Sequence, residues 1–193
     1  VVTYNGNGTA GHTIPHSLGS NSPEMIWIKR RETTGNDADW MVGHKGLNGG
    51  SSPWNEYLVL NKTQGEYSDN NPFNNVAPTT THFQLSSWDR VNDVAGKYIA
   101  FLFASTDVSK VGSYTGNGST GQTIATGFQP RFIIIKRRDG TGYWNVYDTV
   151  RGWGSGNDAE LYLNDSGAQW TSDDRGAPTS TGSSTVTQRE APE

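Results

Sequence analysis

Tryptophan is the side chain with the most chemistry to offer in this sequence, seven of them in 193 residues. An indole ring stacks on the apolar face of a sugar while neighbouring Asn, Asp and Arg bond its hydroxyls. Position sorts the seven. Trp40 and Trp144 share an alternation face with Val42 and Val146, which at strand period points them into a core. Trp27, inside the apolar run 25–28, reads as core as well. Trp54, Trp88, Trp153 and Trp170 fall in or beside polar loops. Trp54 with Asn55, and Trp153 with Arg151 and Asp158, combine a ring with polar partners and are the candidate glycan-binding residues, on loops of the kind that carry binding in β modules. The competing reading is a loop pinned by its own aromatic ring.

Two acidic clusters, Asn36-Asp37-Asp39 and Asn157-Asp158-Glu160, offer oxygen ligands for Ca²⁺. Neither has an ordered calcium-loop spacing, and turn chemistry accounts for both, so no cofactor is expected and Ca²⁺ is the sole candidate. Asp37 with Asp39, or Asp173 with Asp174, has the composition of a glycosidase pair, which needs about 5 to 9 Å across a cleft; adjacency in sequence does not supply that. With no Cys, a thiolate nucleophile or Cys metal site is excluded. The four His are scattered and form no Ser-His-Asp arrangement. The basic runs Lys29-Arg30-Arg31 and Lys136-Arg137-Arg138 suit an acidic glycan or phosphate, but read better as strand ends entering solvent.

These residues are positioned by a tandem repeat. The run Glu24-Met25-Ile26-Trp27-Ile28-Lys29-Arg30-Arg31 returns as Arg131-Phe132-Ile133-Ile134-Ile135-Lys136-Arg137-Arg138. Tyr4-Asn5-Gly6-Asn7-Gly8 returns as Tyr114-Thr115-Gly116-Asn117-Gly118, and Leu60-Asn61 as Leu163-Asn164. A repeat fixes what one structural unit is, here about 105 residues. It also argues against catalysis, since His44 becomes Asp148 and Asp39 becomes Tyr143 in the second copy. The sequons at Asn7, Asn61, Asn117 and Asn164 fall in equivalent pairs and read as turn markers.

Composition agrees with a β module. The chain has 24 Gly and 8 Pro, only 32% apolar residues, and a net charge of -4, which disfavours a nucleic-acid partner. No apolar run approaches the roughly 18 residues of a membrane span. The absence of an initiator Met and a signal peptide suggests a fragment or processed chain. Strands are expected at 1–4, 12–18 (an edge, because of Pro15), 25–28, 40–45, 57–60, from 82 to 85, and at 98–104, the last being the most apolar segment. The second copy runs to Val186 and holds no counterpart of 98–104, which leaves an open edge, so either the strand is lost by truncation or another chain supplies it.

Gly112-Ser113-Tyr114-Thr115-Gly116-Asn117-Gly118, then Gly127-Phe128-Gln129-Pro130-Arg131-Phe132 before Ile134-Ile135-Lys136-Arg137, then Trp144-Asn145-Val146-Tyr147-Asp148-Thr149 with Arg151-Gly152, carry a resemblance. The pattern resembles a repeat domain of predicted tail-fibre and other virion proteins of tailed phages, especially marine ones, itself similar in a general way to lectin-like, concanavalin-type sandwiches. It covers nearly the whole chain. Ser183-Ser184 stands where the pattern has an aromatic.

The expectation is an all-β protein of two tandem β-sandwich units of jelly-roll or concanavalin type, 1–108 and 109–193, the second lacking its last strand. The resemblance implies a non-enzymatic module of a virion appendage, extracellular, that adheres to host cell-surface glycans and associates with copies of itself or with other virion proteins. A purely structural fibre module and a carbohydrate-active enzyme are the alternatives.

Overall fold

A computed structural model describes residues 1–32 and 39–185. The chain is nearly all β, built from antiparallel sheets. Among the described residues the α-helix is confined to the single turn α1, Asp89–Asn92. The chain divides into two compact units.

The first unit comprises Val1–Thr106 together with Arg137–Gly142. Its strands are β1 (Val2–Asn5), β2 (His12–Pro15), β3 (Met25–Arg30), β4 (Trp40–His44), β5 (Leu58–Val59), β6 (His82–Leu85) and β7 (Lys97–Phe103). Five of them form one sheet in the order β1-β7-β3-β4-β5, and among the described residues β2 pairs with β6 alone. Pro15 ends β2, which has no other partner strand among the described residues, as suits a residue without an N–H to donate. Both ladders feed one core: Ile14, Phe83 and Leu85 from β2 and β6, and Ile26, Ile28, Met41 and Ala100 from the large sheet.

Strand period decides which face that core takes: Trp144, 3% exposed beside Val146 at 5%, is buried as expected, and for Trp40 the expectation needs correcting. The core-facing residue of β4 is Met41, fully buried, whereas Trp40 is half-buried and packs on Phe101 with ring centroids 5.9 Å apart. Trp27 likewise meets Phe103, at 4.8 Å, across the opposite face from Ile26 and Ile28. Lys29-Arg30-Arg31 does not simply fray into water. Arg30 bonds Asp93 at 2.7 Å, and its guanidinium lies 6.0 Å from the Tyr98 ring.

The second unit holds Asp107–Lys136 and the residues from Tyr143 onward. Its strands are β8 (Thr123–Ala125), β9 (Phe132–Lys136), β10 (Trp144–Asp148), β11 (Leu161–Tyr162), β12 (Gly176–Thr179) and β13 (Gly182–Thr185). They form two three-stranded sheets, β11-β10-β9 and β12-β13-β8. The repeat is visible in register: Lys29 pairs with Trp40 as Lys136 pairs with Trp144, and Ile14 faces Phe83 as Ile124 faces Ser183. Hydrogen bonds repeat too. Asn61 Oδ1 accepts the Trp40 N–H at 3.0 Å, and Asn164 Oδ1 accepts the Trp144 N–H at 2.8 Å. Asn7 and Asn117 each accept the N–H two residues on, at 2.9 Å, which is the side-chain turn expected at those sequons.

Candidate functional site

Within the first unit, a cleft of about 230 Å³ opens beside β5. Its floor is aromatic. Tyr57 and Tyr67 exchange both backbone hydrogen bonds, at 3.0 and 2.9 Å, and this isolated bridge holds their rings stacked at 5.1 Å and 15°. Trp88, the residue that opens α1, sets its ring 5.1 Å from Tyr57. Tyr57 is buried beneath, while Tyr67 and Trp88 are half-buried and present ring surface.

The rim is polar. Tyr57 Oη donates to Asp69 Oδ1 at 2.9 Å, and Asn70 Nδ2 donates to the other Asp69 oxygen at 2.8 Å. Burial first, then the hydrogen bond and charge of Asp69, raise the Tyr57 hydroxyl's pKa, so it stays a donor at physiological pH. Arg90 lies over the Trp88 ring, 5.3 Å from its centroid. Arg90 and Lys62 both reach Asp39 Oδ2, at 3.1 and 2.6 Å. Burial alone would raise the Asp39 carboxyl; the Lys62 and Asn61 hydrogen bonds and the two cations outweigh it and hold the group low. Rings flanked by carboxylate, amide and guanidinium groups match what a sugar presents, an apolar face edged by hydroxyls.

The residues singled out from sequence lie elsewhere. Trp54 is 5% exposed and packs edge-on against Phe73, centroids 5.5 Å apart. The cause is Gly43 on β4, where a Cβ would fall 2.5 Å from the Phe73 ring and 2.8 Å from that of Trp54. The missing side chain makes the slot that draws the loop ring down. Trp153 is 4% exposed and tilts against Tyr147, the residue that occupies Gly43's position in the second unit. Both rings are therefore loop pins rather than exposed platforms, and the expectation of free stacking surface at Trp54 and Trp153 is corrected. Asn55 is half-buried beside Trp54 in a short 3-10 turn.

Asp158 is corrected in the same way. It is 1% exposed, and its two oxygens accept the Gly154 and Arg175 N–H groups at 2.7 and 2.6 Å, so it closes a loop. Arg151 is held by Asp148, to which its Nε donates. Glu160, also buried, accepts from Tyr147 Oη at 2.6 Å and faces Arg175 at 3.3 Å, which leaves the Asn157-Asp158-Glu160 cluster committed to protein partners. Asp173 and Asp174 bond Arg175 and the Gly176 N–H. Asn36 and Asp37 lie outside the described residues. Among the described residues no group of three or more His, Cys, Asp or Glu is placed to hold a metal ion.

A family model described as a domain of unknown function, DUF7483, matches residues 1–186. The chain belongs to that family. No protein of curated function matches it, and no solved structure does. The DUF7483 match runs through both units, yet the cleft is built once among the described residues. At the equivalent bridge of the second unit, Glu160 stands for Tyr57 and Trp170 for Tyr67. Trp170 is 48% exposed, but its bridge partner is an acid turned toward Tyr147.

Sequence reasoning leaves the cleft residues unassigned. Trp88 is legible as a loop tryptophan, and Tyr57 and Tyr67 as strand and loop aromatics. Their convergence depends on the bridge from Tyr57 to Tyr67, closed by nothing that spacing announces.

Proposed function

We propose that this chain is a non-catalytic module of a virion appendage, such as a tail fibre, that adheres to host cell-surface glycans. Its two units are read as tandem β-sandwiches of jelly-roll or concanavalin type, the second lacking its last strand. The observation that supports adhesion is the Tyr57–Tyr67–Trp88 cleft with Asp69, Asn70 and Arg90 at its rim. An enzyme is disfavoured because the carboxylates nearest the rings are committed, Asp39 to Lys62 and Arg90 and Asp69 to Tyr57 and Asn70.

Ring stacking contributes on the order of 1 kcal/mol per ring, so each site binds weakly. Several copies in a fibre restore strength through effective concentration. The test is a glycan array probed with the protein clustered on beads. Binding to a defined glycan set is expected, reduced about tenfold or more by Trp88→Ala together with Tyr67→Ala. An array profile that the double substitution leaves unchanged rejects this site.

A further inference from the structure

The walls of the aromatic cleft differ in kind. Tyr67, half-buried, is stacked on Tyr57 by one face and turns the other to the cleft. Trp88 is different: its ring carries the Arg90 guanidinium 5.3 Å from its centroid, so what a ligand meets there is in part a cation.

Arg90 has donors to spare. Its Nη1 donates to Asp39 Oδ2 at 3.1 Å, and that one bond occupies a single N–H of a side chain that is 25% exposed and presents its N–H groups as a fork. Lys62 reaches the same oxygen at 2.6 Å, with a side chain 39% exposed. Asp39 has nothing left to offer. It is 6% exposed, Asn61 Nδ2 takes its Oδ1 at 2.8 Å, and both cations share its Oδ2. It therefore gathers two cationic heads from behind the wall without itself lining the cleft. The wall shows Lys62, Arg90 and one carboxylate, Asp69, whose oxygens already accept from Tyr57 and Asn70. With Asp39 counted the cluster is neutral, so aimed N–H groups rather than net charge are what favour an anion.

We propose that the cleft selects acidic sugars: a pyranuronate stacks its apolar face on Tyr67 and gives its carboxylate to the open N–H edge of Arg90, with Lys62 beside it. This rests on the reading of the cleft as a glycan site. In a hexuronate the carboxylate is attached to the ring that stacks, so one sugar residue supplies both the apolar face and the anion. A guanidinium edge matches a carboxylate through two parallel N–H bonds, a fit that an ammonium group does not reproduce. Asp69 and Asn70 remain for the hydroxyls.

The test compares a panel of hexuronate oligosaccharides with their carboxyl-reduced counterparts, which carry CH₂OH in place of the carboxylate and are otherwise the same. The whole chain is titrated with each, and the Trp88 indole N–H resonance is followed by NMR. At least one acid is expected to bind roughly tenfold or more tighter than its reduced form. Lys62→Gln and, separately, Arg90→Lys are expected to shrink that ratio to about threefold or less. The comparison of sugars on the unaltered protein decides the matter even if a variant does not fold. Equal affinity for acid and reduced sugar across the panel overturns this proposal and leaves the glycan reading in place. No shift at Trp88 with sugars of either kind overturns both. A preference for the acid that both variants keep unchanged puts the carboxylate elsewhere and overturns its assignment to Arg90 and Lys62.

Discussion

Buried rings and half-exposed rings in this chain look alike in sequence and act differently. Trp54 fills the slot over Gly43, so Trp54→Ala should cost about 3 to 5 kcal/mol in chemical denaturation of the first unit, as large-to-small core changes do. Trp88→Ala, which removes a half-buried ring from the cleft, should cost clearly less while weakening glycan binding. Similar losses of stability for the two would mean that Trp88 is a pin as well. Titration offers a second check at this scale. Burial alone would raise Glu24 as it does Asp39. Hydrogen bonds from Lys45 and Ser105 outweigh burial at Glu24, as the Lys62 and Asn61 bonds do at Asp39, and both carboxyls are held below their usual range. A carboxylate depressed in the folded state contributes stability that is present above its unfolded pKa, about 4, and is lost as pH falls through the folded value. Stability is therefore expected to fall as pH drops from about 4 downward, and Asp39→Asn should flatten that dependence. A pH profile identical in wild type and Asp39→Asn would show that Asp39 contributes nothing to it.

The strands are largely legible in the sequence and their side chains' company is not. Apolar runs and turn residues place β3, β4, β6 and β7 within a residue or two, because alternation and Gly, Asn and Pro punctuation are local signals. The face of β4 that meets the core is hidden from them: Trp40 and Val42 look like the apolar face, yet the core takes Met41 and leaves room at Gly43 for rings from distant loops. Asn92 illustrates the same limit. It is fully buried and serves four partners, donating to Ser86 O and Thr9 O at 2.7 and 2.9 Å and meeting the Asn7 N–H and His12 Nδ1 at 2.9 Å. Nothing local marks it. Replacing it by Leu leaves buried donors and acceptors unmatched, each worth about 1 to 3 kcal/mol, and Asn92→Leu is expected to unfold the first unit at room temperature or nearly so. A loss below about 1 kcal/mol by urea denaturation would show the network to be dispensable.

At the scale of the molecule, the two units share strand registers but, among the described residues, not every strand or core side chain. Phe83, at 1% exposure, is answered by Ser183, and the strand that buries Ile26 and Ile28 has no described counterpart beside β9. The second unit should therefore open at lower free energy, with amides of β9 and β10 exchanging faster than those of β3 and β4; equal protection would contradict this. Adhesion is expected to rest on the first unit, where the aromatic cleft is formed. The seven Trp indole N–H groups allow that claim to be read directly, by ¹⁵N-resolved NMR during titration with an oligosaccharide selected on the array. The Trp88 resonance is expected to shift in a saturable way while those of buried Trp54 and Trp153 stay in place. Shifts at Trp54 or Trp153 with Trp88 unmoved, or none at saturating sugar, would contradict adhesion through the cleft.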